Sequence, residues 1–105
     1  MNDVCVYENA NYQGASQCFS SGENIENLAT FRGLGDRISS IRVYGQARAL
    51  LFQNSGYQGA RLVVDRDIPD LARVRMRGNL SWNDQASSIA VEGGRFQDDR
   101  LSSRR

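Results

Sequence analysis

Toward its C-terminal end the chain reads WNDQASSIAV, Trp82 to Val91. Asn83, Asp84, Ser87 and Ser88 place four oxygen-bearing side chains within six positions. They lead into SSIAV, Ser87 to Val91, which reads as the start of a strand. A turn alone needs one or two such residues. Four can form part of an oxygen cage for a hard cation, which takes about six to eight oxygens. A weaker copy, GDRISS, occupies Gly35 to Ser40. Other chemistry is poorly supplied. His is absent, which removes the commonest general base and transition-metal ligand. Two cysteines cannot build a structural zinc site alone. Asp65, Asp67 and Asp70 cluster around Arg66 without a nucleophile or His, and read as a solvated loop. No catalytic triad or phosphate loop is present, so a non-enzymatic protein is expected.

The elements that must hold these oxygens recur. VYENANYQGA, Val6 to Ala15, is repeated 45 residues on as LFQNSGYQGA, Leu51 to Ala60. LGDRISSIRVYG, Leu34 to Gly45, is repeated 48 residues on as WNDQASSIAVEG, Trp82 to Gly93. Two similarities in the same order imply a duplicated unit of about 45 residues. Within each unit the runs VCVYE, SIRVYG, ALLFQ and RLVVD read as strands. Asn9-Ala10-Asn11 and Asn54-Ser55-Gly56 supply turn chemistry between paired strands. Gly14 and Gly59 mark a bend or a close backbone approach. Short helical turns are expected within Asn24–Thr30 or Pro69–Arg73, with Pro69 at a first helical position. Four short strands per unit, twice, predict an all-β, two-sheet Greek-key sandwich.

The 105 residues suit one domain with one core. The domain is expected over residues 1–93, with motif one at about 3–45 and motif two at about 46–93. Residues 94–105, GRFQDDRLSSRR, have no counterpart in the first unit, and their composition predicts a disordered tail. A net charge of +1 gives no general basis for nucleic-acid or membrane binding. All thirteen basic residues are Arg, a bias read as codon usage. The start, MNDVCVYEN, lacks the regions of a signal peptide, so a cytoplasmic protein or a mature secreted form is expected. A monomer is expected, with no protein partner specified.

The pattern aromatic, four residues, aromatic, any residue, Gly occurs as YENANYQG and FQNSGYQG, and each copy is followed later by a Ser just before a strand. This resembles the βγ-crystallin Greek-key motif, and two motifs make one domain. The resemblance implies that the first aromatic packs near a folded hairpin and that Ser40 and Ser88 cap the two hairpins. Microbial members of the family often carry a calcium signature: Asn/Asp, Asn/Asp, any, any, Ser/Thr, Ser. NDQASS, Asn83 to Ser88, matches it fully, and GDRISS departs only at Gly35.

The resemblance then implies one or two Ca²⁺ ions, each held between loops of the two halves. Asp36 and Asp84 would provide carboxylates, Ser39 and Ser87 hydroxyls, and Arg37 and Gln85 loop carbonyls. Glu8 and Gln53 would add hairpin carbonyls, and Asn83 holds the first signature position. Which loop supplies which member of a site stays open. Few carboxylates per site imply dissociation constants of about 10⁻⁵ to 10⁻³ M. Gly35 loosens one loop and Arg37 brings a cation near an ion, so one competent and one weakened site are expected. Two other readings stand beside this one: a turn leading into a strand without calcium, and an interaction or inhibitor-like module whose loops bind a protein.

Cys5 and Cys18 lie on the first two strands of unit one. A cross-strand disulfide is geometrically possible, and two small buried thiols are the alternative. Trp82 is expected in the core beside the ion loop.

Overall fold

The computed structural model describes residues 2–30, 37–77 and 80–93. The expected disordered tail at 94–105 lies outside them, as do Leu34, Gly35 and Asp36.

Alternating apolar positions build the strands. The first unit contributes β1 (Asp3–Asn9), β2 (Gln13–Ser20), β3 (Asn24–Ile25) and β4 (Ser40–Val43). The second contributes β5 (Arg48–Asn54), β6 (Gln58–Val64), a ribbon of β7 (Arg75–Arg77) and β8 (Leu80–Ser81), and β9 (Ser88–Glu92). One sheet runs β2-β1-β4 and the other β3-β9-β5-β6, with all pairings antiparallel. Val4 and Val6 of β1, Ala49 and Leu51 of β5, and Ile89 and Val91 of β9 point into a shared core with Leu28, Ile41, Leu71 and Trp82. This is the two-sheet Greek-key sandwich expected from the sequence.

The halves are locked together by reciprocal backbone pairing, through a strand on one side and an isolated bridge on the other. β3 of unit one pairs with β9 of unit two. In return, Ile68 of unit two exchanges reciprocal backbone hydrogen bonds with Ile41 of β4, at 2.8 and 2.9 Å. The Asp67 carboxylate also accepts from the Val43 N–H at 2.7 Å. Neither unit therefore completes its hydrogen bonding alone.

Each β-hairpin folds over in the same way. The Ser40 hydroxyl donates to the Asn9 carbonyl at 2.6 Å and accepts from the Tyr12 N–H at 3.0 Å. Ser88 does the same with Asn54 and Tyr57, at 2.7 and 3.1 Å. Both serines are fully buried. The hairpin aromatics meet edge to face, Tyr7 on Tyr12 and Phe52 on Tyr57, each pair with centroids 5.7 Å apart. Gly59 has φ +83°, and a Cβ there would stand 2.7 Å from the Asn54 side-chain nitrogen, so any other residue is strained and must displace that side chain. Ser88→Ala leaves the part-buried Asn54 carbonyl and Tyr57 N–H without their shared partner. The expected loss is about 1–2 kcal/mol of unfolding free energy, read by urea denaturation. A loss under about 0.5 kcal/mol would remove the serine from its structural role.

The helical turns are short 3₁₀ segments, Leu28–Thr30 and Leu71–Arg73. Pro69 does not open the second one. Asp70 caps it, its side chain accepting from the Ala72 N–H at 3.0 Å. A carboxylate oxygen can satisfy an early helical N–H directly, whereas proline only tolerates the absence of one.

Cys5 and Cys18 face each other in the β1–β2 register and form a disulfide. Cys5 is buried and Cys18 exposed, so the pair of buried core thiols is not what the fold contains. Removing the bridge frees a loop of about a dozen residues in the unfolded chain. Cys5→Ala/Cys18→Ala is expected to lose about 2–3 kcal/mol, as is the reduced wild type; equal melts of oxidised and reduced protein would contradict it.

Candidate metal centre

The loop before β9 is built around Trp82, which is 2% exposed. Its N–H donates to the Val74 carbonyl at 2.8 Å and its carbonyl accepts from the Gln85 N–H at 3.2 Å. This turn raises Asp84 to the surface with φ +57°, a left-handed conformation that aspartate adopts more readily than most residues. Non-glycine residues held there cluster at functional positions. The Asp84 N–H crosses to the other motif and donates to the Ile38 carbonyl at 2.9 Å.

That crossing brings the two loops into contact. The Ser39 hydroxyl of motif one donates to Asp84 Oδ1 of motif two at 3.1 Å. The Ser39 N–H in turn donates to the Tyr7 carbonyl at 2.9 Å, which sets Ser39 beside Glu8 on the hairpin. Arg37 reaches the same Glu8, with Nη1 3.2 Å from Oε2. Arg37, Ser39 and Glu8 of motif one thus gather with Asp84 of motif two. In this contact the carboxylate comes from one loop and the hydroxyl from the other. The Arg37 guanidinium is largely exposed and turned to the Glu8 carboxylate.

A second set mirrors the first. The Ser87 N–H donates to the Phe52 carbonyl at 2.8 Å, beside Gln53. The Ser87 carbonyl accepts from the Leu28 N–H, as the Ser39 carbonyl accepts from Leu71, both at 2.8 Å. Asp36, the carboxylate expected for this set, lies outside the described residues. Asn83 and Gln85 flank Asp84 in sequence. Asn83 donates its N–H to the Ser81 hydroxyl at 3.4 Å, a long bond inside its own turn.

The donors of the first set are oxygens, with neither thiolate nor imidazole among them, which suits a hard cation. Asp84 is exposed, leaving room for water to complete a shell. Among the described residues no three His, Cys, Asp or Glu gather as a dense acidic cage. The donor set therefore fits a calcium ion held by one carboxylate, a hydroxyl, backbone carbonyls and water.

Sequence reasoning missed two supports. One is the Glu8–Arg37 ion pair, which joins hairpin to loop and which side-chain spacing alone does not reveal. The other is the Asp70 cap, which fixes the turn that bonds the Ser39 carbonyl; the run DIPDL was its only signal. Tyr7 lines the same hairpin. Desolvation by burial, then its hydrogen bond with Tyr44, holds its phenol above the ordinary value, so it stays neutral at physiological pH.

The sequence model described as "Peptidase inhibitor family I36" matches residues 1–64. The chain belongs to this family. The I36 family is βγ-crystallin-like, and the fold of this I36 member agrees. It is 34% identical to a βγ-crystallin domain from Flavobacterium johnsoniae, covering 86% of this chain and 93% of that one, with a TM-score of 0.69. The N-terminal domain of protein S is 25% identical, with 87% and 96% covered and a TM-score of 0.71. An epidermal differentiation-specific protein from Cynops pyrrhogaster is 33% identical over 91 residues. The I36 chain spans about a quarter of that protein's length, 24%.

Proposed function

We propose that this domain is a non-enzymatic calcium-binding module, in which an ion held between the loops of its two motifs stabilises the fold. The observation that carries the proposal is the contact of Ser39 Oγ with Asp84 Oδ1 at 3.1 Å across the motif boundary. Neither loop offers that pair of oxygens alone, so an ion bound there favours the folded arrangement of both. The carboxylate supplies charge, the hydroxyl and hairpin position the ion, and solvent completes its shell. The test is a thermal melt with calcium, with magnesium and with chelator. Calcium alone should raise the midpoint, because magnesium demands tighter octahedral geometry and sheds water reluctantly. A midpoint indifferent to chelation would sink the reading.

The family match over residues 1–64 favours a second reading, in which the chain inhibits a peptidase. Titration against representative peptidases of each mechanistic class, with and without calcium, separates the two. Inhibition with no calcium-dependent stabilisation would favour the second.

A further inference from the structure

β2 and β6 are edge strands, and the duplication makes them counterparts. Their edges differ. On β2 the counterparts of Arg61, Val63 and Asp65 are Ser16, Cys18 and Ser20. Cys18 is tied into the disulfide, and the Ser20 N–H donates to the Glu23 carboxylate at 2.6 Å. That edge is partly closed and carries no charge at those positions.

Among the described residues no strand pairs with the outer edge of β6, whose outward positions run Arg61, Val63 and Asp65. The Ser87 N–H bonds the Phe52 carbonyl, so the Phe52 backbone groups face β9. Phe52 stands opposite Arg61 across β5–β6. The Arg61 N–H and carbonyl therefore face away from β5, and alternation turns those of Val63 the same way. Asp65, one residue past the strand, has the same parity. Leu62 and Val64 point inward, whereas Val63 is 45% exposed. Edge strands are commonly blunted by charge, by proline or by a bulge; β6 carries the charge of Arg61 but no proline. Here the only irregularity in the β5–β6 pairing lies toward the hairpin, between Phe52 and Asn54.

We infer that β6 pairs antiparallel with β6 of a second copy about a two-fold axis at Val63. The strand is self-complementary about that residue. Val63 meets Val63 of the second copy with outward backbone groups reciprocally aligned. Arg61 stands opposite Asp65 of the second copy, and Asp65 opposite its Arg61, on the same sheet face. Opposite charges directly across an antiparallel pair attract, and a two-fold axis makes each contact twice. A second copy is thus the occupant whose charges fit this edge.

Sedimentation across a wide concentration range tests it on the oxidised full chain. The weight-average mass should climb from one chain toward two, and amide exchange at Val63 should slow with concentration. Arg61→Asp sets like charges opposite each other twice and should raise the dimer dissociation constant about tenfold or more. Arg61→Asp/Asp65→Arg restores complementarity and should restore the dimer. Both positions are exposed, so circular dichroism should show both variants folded. A single-chain mass at every concentration overturns the inference, as does a dimer unmoved by Arg61→Asp or left broken in the double variant.

Discussion

Asp84→Ala is expected to lower calcium affinity at the Ser39 site by about tenfold to a hundredfold, and to remove about half or more of the calcium-dependent rise in melting temperature. The carboxylate is the charged donor that motif two delivers to Ser39. Affinity in oxygen cages follows ligand charge, so losing it costs more than losing a neutral oxygen. At calcium about 100 times the dissociation constant, binding adds ~2.7 kcal/mol to folding. For a domain of this size that is a midpoint shift of about 10–20 °C. A tenfold weaker site retains about half of the free energy at the same calcium, and a hundredfold weaker site very little. Ser39→Ala should weaken binding by less, because it removes an uncharged donor. Calorimetry and chelator melts on both variants read the order directly. An Asp84→Ala protein that keeps the full calcium shift would place the ion elsewhere.

Trp82→Ala should be the most damaging single substitution for stability, at about 3–5 kcal/mol by urea denaturation. The indole is almost wholly buried, and the collapsed loop cannot refill its volume. Against a total of about 5–15 kcal/mol, this leaves a marginal domain. The loss should reach the metal centre too, since the turn closed by the Trp82 carbonyl and the Gln85 N–H is what aims Asp84. Calcium should therefore rescue the variant partially and only at higher concentration. Circular dichroism is the readout, because the substitution removes the single Trp of the chain. Trp82→Phe keeps an aromatic in the core and should fall between the two. A cost under about 1 kcal/mol would show that the loop does not depend on this packing.

Much of the architecture is written locally. The recurrence of YQGA after Asn9 and Asn54, and of SSI at the start of β4 and β9, announces two alike hairpins, and the resemblance to the βγ-crystallin motif implies their folded form and serine caps. The structure contains both, with matching hydrogen bonds. Strand and turn chemistry act over a few residues, so they survive in a one-dimensional reading. The Pro69 assignment failed for a related reason: Asp70 and Pro69 offer competing starts one residue apart, and the aspartate oxygen captured the free N–H. The β7–β8 ribbon went unforeseen because RMR and LS are too short to carry a periodic signal.

The candidate site was legible as a set of residues and illegible as a set of partners. Asp84 and Ser39 stand out by type, yet nothing in their separation says that they touch. Ser87 and Asp84 are neighbours in sequence, whereas it is Ser39 that meets the carboxylate.

By itself the sequence determined the duplicated hairpins, the buried alternating faces, the core place of Trp82 and the all-oxygen character of the loops. These follow from side-chain chemistry and short-range periodicity. Only the tertiary structure decided the reciprocal pairing of β3 with β9 and of Ile68 with Ile41, the joining of Ser39 to Asp84, and the closing of Cys5 onto Cys18. The first two depend on how two separately encoded units pack against one another, and the disulfide on the register in which β1 and β2 pair within one unit; neither is recorded in local spacing.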